Sequence, residues 1–225
     1  MERLLAEDLV LLCWDDEKGK VHTTCSTGFS TGLAGALLLD AMTGGALEVG
    51  DHDRVHATGT APAHPLLAAV VADTERARKP KKVKDLVGHL DSRKRTSALL
   101  DHMVEAGTLH RRDHRMLGLF PVTRHPTADT RAAKAVRGRV HDLLIGRRRP
   151  TDEDTRTVLL AKLARLTGAL SVLVARRQRR EAKKRADAFD VGSDVPEAVA
   201  KAIAQAQAAV MAAITAGGAA AASGS

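Results

Sequence analysis

At 225 residues and 44% hydrophobic content the chain is long enough for one sizeable core, and no Pro/Gly/Ser-rich linker divides it. Its net charge of +8 points to a polyanionic partner, although charge alone speaks to solubility and non-specific binding rather than to one target. Two cysteines are too few for a disulfide framework, and three phenylalanines, one tryptophan and no tyrosine weigh against modules that stack single-stranded bases on aromatic rings.

The first twenty residues contain Leu4, Leu5, Leu9, Val10, Leu11 and Leu12, but Glu7 and Asp8 interrupt the run, so no secretory signal is expected. LLAEDLVLLCWDDEKGKVHTT reads instead as a short amphipathic start, an apolar strand and a turn at DDEKGK, where Gly19 supplies a positive φ for a hairpin. Ser30 or Thr31 is placed to cap a mostly buried helix through GLAGALLLDAM, with Gly44 or Gly45 as its stop. ALEVGDHDRVHATG alternates about a Gly/Asp turn and predicts a second hairpin.

PLLAAVVADTERAR, KKVKDLVGHLD and SALLDHMVEAG each carry the apolar recurrence of an amphipathic helix, the last ended by Gly107. TLHRRDHRMLGLFPVTR predicts a third hairpin with Arg111 to His114 at its turn. Helices resume near Ala128, and Asp194, Pro196 and Glu197 start a final one. VLLAKLARLTGALSVLVA, at 158–175, contains Lys162 and Arg165 and makes a poor membrane span, so a soluble cytosolic chain is expected with Cys13 and Cys25 as reduced packing residues. The expected fold is mainly α with three small hairpins, one domain over 1–216 and a low-complexity tail over 217–225.

Few residues point to chemistry. His52 and His56, interleaved with Asp51 and Asp53, have a metal-compatible spacing but fall in a predicted turn, and His110 and His114 around Asp113 share that weakness. There is no G-x-S-x-G elbow, phosphate-binding Gly-x-x-x-x-Gly-Lys loop or dinucleotide fingerprint, so the expectation is a non-enzyme without metal or cofactor.

The basic segments carry more information. ARRQRREAKKR holds Arg176, Arg177, Arg179, Arg180, Lys183, Lys184 and Arg185. On a helix these spread round most of the circumference, which suits a solvated helix end with loose attraction to anionic surfaces. ERARKPKKVK and GRRRP are similar. A second reading takes KKVKDLVGHLDSRKRTSALLDHMVEAG and the following hairpin as a winged-helix-like DNA-binding unit reading duplex through arginines.

Four stretches together resemble the Golgi phosphoprotein 3 family, in its bacterial, actinobacterial-type branch: AEDLVLLCWDDEKGK, GLAGALLLDAMTGGALEV, HMVEAGTL leading into RMLGLFPVTRHP, and TRTVLLAKLARLTGALSVL. The matches keep their order over about residues 3–215. The resemblance implies a central helical bundle ringed by amphipathic helices and hairpins, with no catalytic activity. It further implies peripheral membrane association through anionic phospholipid headgroups, phosphatidylinositol 4-phosphate in particular, and an apolar hairpin for membrane insertion or self-association.

Carried over by position, the headgroup contact falls on Arg93, with Lys94 and Arg95 beside it. Cys25, Ala34 and Thr96 stand where relatives have a tryptophan and two arginines. Met116, Leu117, Leu119 and Phe120 supply the hairpin's apolar surface, and Arg111, Arg112 and Arg115 its charge. The expected partners are anionic phospholipid, protein clients and a second copy of the chain through the hairpin. Nucleic acid is the alternative.

Overall fold

The computed structural model describes residues 3–116, 120–149 and 155–189 together with 204, 205, 208 and 212, and of residues 114–116 and 120 only the backbone. These residues form a mainly helical fold with three two-stranded antiparallel hairpins. The core is one continuous cluster of buried side chains.

Two helices make its centre. α1, Leu5–Cys13, is buried at every position, and α2, Phe29–Thr43, at most of its own. α1 packs on α2, α6 (Thr130–Leu144) and α7 (Thr155–Thr167), while α2 also packs on α3 (Pro65–Glu75), α4 (Val83–Leu90) and α5 (Arg93–Glu105). α8, Leu170–Leu173, and α9, Arg179–Ala188, complete the helical layers.

α1 corrects the expected apolar strand. A short apolar run fits a buried helix as well as a buried strand, and here other groups satisfy the helix's free amides. Glu7 accepts from Leu4 N at 2.6 Å, and the Asp40 carboxylate accepts from Leu5 N and Ala6 N at 2.9 and 3.2 Å. At its other end Arg137 of α6 donates to Leu11 O, a carbonyl the helix leaves open, and to Trp14 O just beyond the helix, at 2.9 and 2.8 Å. Buried Asp8 is held between Arg3 and Arg156, each 2.9 Å away.

α2 begins at Phe29 behind Gly28, before either expected cap. Thr31 is committed elsewhere, its hydroxyl donating to Asp91 Oδ2 at 2.5 Å and tying α2 to the α4–α5 junction. The 158–175 stretch is core: α7 ends at Thr167, α8 starts after Gly168, and Val158 to Ala164 are mostly buried. No helix among the described residues is long and apolar enough to cross a membrane.

The hairpins are β1–β2 (Trp14–Asp15 and Lys20–Val21), β3–β4 (Leu47–Val49 and Val55–Ala57) and β5–β6 (Arg112–Met116 and Phe120–Arg124). Gly19 closes the first at φ +59°, as expected. The third corrects the predicted turn. Arg112, Asp113 and His114 lie in β5, and the register pairs Arg112 with Arg124 and Met116 with Phe120, so the reversal falls between 116 and 120. The predicted helix from Asp194, the GRRRP proline Pro150 and the 217–225 tail lie outside the described residues.

Candidate functional site: the first turn of α5

Ser92 caps α5, its Oγ accepting from Arg95 N at 3.3 Å. This start precedes the SALLDHMVEAG pattern by four residues and draws Arg93, Lys94 and Arg95 into the first turn, where the helix dipole is positive. Placing three cations there is locally unfavourable, and the structure relieves only one of them. Arg95, 16% exposed, is ion-paired with Asp73 of α3, which also accepts from Arg76 at 3.1 Å. Arg93 and Lys94 are exposed and, among the described residues, unpaired.

Ala34 and Thr96, two positions that the resemblance singles out, meet here. Ala34 and Thr96 line one depression with Ser30 and Arg95, and Leu33, Leu37, Leu90 and Leu99 close its floor. No water-sized space lies between these side chains, so the depression is a closed seam with no cavity behind it. Arg93 precedes Thr96 by three residues and shares its side of the helix. Cys25 is not part of that lining. It is fully buried, as is Cys13, and both are free thiols. The two thiols adjoin: the contact with Cys25 and burial push the Cys13 thiol up, while the same contact lowers Cys25.

The hairpin charges divide. Arg111 is ion-paired with Asp101 of α5 and Asp113, at 3.6 and 3.3 Å, so it ties the hairpin to α5. Arg112 is exposed and unpaired among the described residues. Arg115, Met116 and Phe120 are placed by backbone register, while Leu117 and Leu119 lie outside the described residues.

ARRQRREAKKR is a 3-10 turn over Arg176–Gln178 followed by α9, with Ala182 and Ala186 buried beneath it. Arg179 donates to Val174 O and Ser171 O at 3.0 and 2.8 Å. Arg185 lies against Gly146 at the end of α6, and Lys184 pairs with Glu181 at 3.3 Å. Arg176, Arg177, Arg180 and Lys183 are exposed. α9 packs mainly on α6, α7 and α8, whereas α5 packs on α2 and pairs with α3. The 175–185 charges and those of the first turn of α5 therefore stand on elements that pack on different neighbours.

Sequence reasoning missed Arg137, Arg156 and Asp40, whose partners lie tens of residues away. Among the described residues no group of three or more His, Cys, Asp and Glu side chains is arranged to hold a metal.

The sequence model of Golgi phosphoprotein 3 matches residues 5–206. The chain belongs to the Golgi phosphoprotein 3 family. The match runs from the first residue of α1 past the end of α9, so both central helices and all three hairpins fall within the Golgi phosphoprotein 3 region. No curated protein matches the chain.

Proposed function

We propose that this chain is a non-enzymatic peripheral membrane protein that binds anionic phospholipid headgroups through the first turn of α5. Membership of the Golgi phosphoprotein 3 family supports the class of function. The observation that carries the site is the pair of exposed cations Arg93 and Lys94, unpaired among the described residues, beside the seam of Ala34, Arg95 and Thr96. A guanidinium fork, an ammonium and a helix N-terminus suit a phosphate better than any other common surface group.

The seam has no depth, so the headgroup rests on α5 with its phosphate outward from the core. Phosphatidylinositol 4-phosphate is the preferred headgroup in this reading, and its extra phosphomonoester engages Arg93. The β5–β6 hairpin contributes shallow insertion or self-association, with protein clients carried by the membrane-bound form in the cytoplasm. The Ala-, Arg- and Gly-rich composition goes with the bacterial branch of the family.

Duplex DNA gains no comparable support, because α5 as a groove-reading helix would bring Asp101 and Glu105 towards phosphates. Liposome flotation tests the proposal with neutral vesicles, phosphatidylserine vesicles and charge-matched phosphatidylinositol 4-phosphate vesicles. Binding that prefers the phosphoinositide and falls with Arg93→Ala is expected. Equal binding to both acidic vesicles would remove the headgroup preference, and no flotation of the wild-type protein would overturn the membrane reading.

A further inference from the structure

The base of the third hairpin is docked on the turn of the first. Gly19 O accepts from His125 N at 2.9 Å, Asp16 O from Thr127 N at 3.0 Å, and His125 O from Trp14 Nε1 at 2.7 Å. Between the hairpins lies a cleft of about 560 Å³ whose charged lining is Glu17, Lys18, Lys20, Arg112, Asp113 and Arg124. Two of these charges are already met nearby: Lys18 by Asp15 at 3.3 Å and Asp113 by Arg111 at 3.3 Å. Among the described residues Lys20, Arg112 and Arg124 have no ion-pair partner. Three cations then face the cleft against the single carboxylate of Glu17.

The register sharpens the point. Arg112 and Arg124 are direct cross-strand partners in an antiparallel pair. Like charges placed opposite each other destabilise a hairpin, and among the described residues neither arginine has an acidic partner. A dianion held by both guanidinium forks would reverse the sign of that interaction.

We infer that the cleft between β1–β2 and β5–β6 is a binding site for a phosphomonoester carried on a polar group, held by Arg112, Arg124 and Lys20. The volume exceeds that of phosphate alone and accommodates the sugar or polyol that bears it. This site goes beyond the reading of α5 and uses none of its residues. Arg112 is four residues from Met116, so the cleft lies roughly 13 Å along β5 from Met116 at about 3.3 Å per strand residue. A phosphate can come from a soluble metabolite or from a lipid headgroup, and the experiment separates the two.

Isothermal titration of the full chain with myo-inositol monophosphate, with inositol as the control, should give saturable binding that inorganic phosphate competes away. Measured in a chain that carries Arg93→Ala, so that α5 does not contribute to the signal, the binding should persist, and adding the Arg112→Gln/Arg124→Gln pair or Lys20→Gln should each weaken it by tenfold or more. Vesicles of phosphatidic acid, which exposes a phosphomonoester, then compete with the soluble ligand if the source is lipid; failure to compete assigns a soluble source.

A readout independent of ligand choice is thermal unfolding at low salt. Arg124→Gln should raise the midpoint of the ligand-free protein, and inorganic phosphate should raise that of the wild type more than that of the variant. Absence of saturable binding, or binding indifferent to the arginine pair, overturns the site without bearing on flotation. Loss of flotation with this binding intact overturns only the α5 reading.

Discussion

Asp40 sits on α2 with its carboxylate turned onto the first turn of α1, where burial, and to a smaller extent the neighbouring Glu7, push its pKa up from 3.8 to about 7. The two amide hydrogen bonds and Arg156 pull the other way without prevailing. The folded protein therefore holds a proton that the unfolded chain releases. Stability from this group is complete below about pH 4, declines as pH rises towards 7 and is level above it. Asp40→Asn keeps an acceptor but cannot ionise, so its unfolding free energy should gain on that of wild type steadily between pH 4 and 7. His64, lowered by burial and by His102, has the opposite slope below about pH 6.5, but it is common to both proteins and cancels in the difference. Urea unfolding at a series of pH values reads the difference directly, and a pH-independent offset would show that Asp40 stays ionised in the fold.

Among the elements, the two docked hairpins depend on one close approach. A Cβ on Gly19 would stand 2.5 Å from His125 N and Pro126 N, both backbone atoms, and Gly19 holds φ +59° besides. Neither obstacle can be moved by rotating a side chain. Gly19→Ala is expected to destabilise the protein by more than the ~1 kcal/mol of an unhindered positive-φ substitution, by separating the hairpins. The same variant should lose the saturable phosphomonoester binding while keeping flotation, because α5 is untouched. Denaturant unfolding and calorimetry check both halves. A variant as stable as wild type would mean that the β1–β2 turn is not pinned to the third hairpin in solution.

At the scale of the whole molecule, the net charge of +8 is distributed over separate elements rather than gathered on one. In the 175–185 segment Arg179 bonds backbone carbonyls, Arg185 lies against Gly146 and Lys184 pairs with Glu181, which leaves four exposed cations to act at long range. Replacing Arg176, Arg177, Arg180 and Lys183 with Gln should weaken vesicle binding at low salt by up to ~1 kcal/mol per residue. The effect should fade as the Debye length shortens and should leave headgroup preference unchanged. Flotation across a salt series measures this, and an altered headgroup preference would move the specific contact from α5 to α9.

Local pattern and residue type determined much of this protein. The amphipathic periodicities of α3, α4 and α5, the glycine reversal in β1–β2 and the alternation of β3–β4 are short-range properties, legible because backbone preference and burial agree there. The four ordered stretches likewise carried the family. What needed tertiary structure was every decision in which a distant partner outweighed local preference. α1 is helical because Asp40 and Arg137 satisfy its ends. Arg95 is neutralised by a carboxylate on another helix, whereas Arg93 has no such partner among the described residues. Arg112 meets Arg124 only once the reversal lies between residues 116 and 120. Sequence spacing reports which side chains share an element, but charge pairing and desolvation depend on separations across elements, which only the folded chain sets.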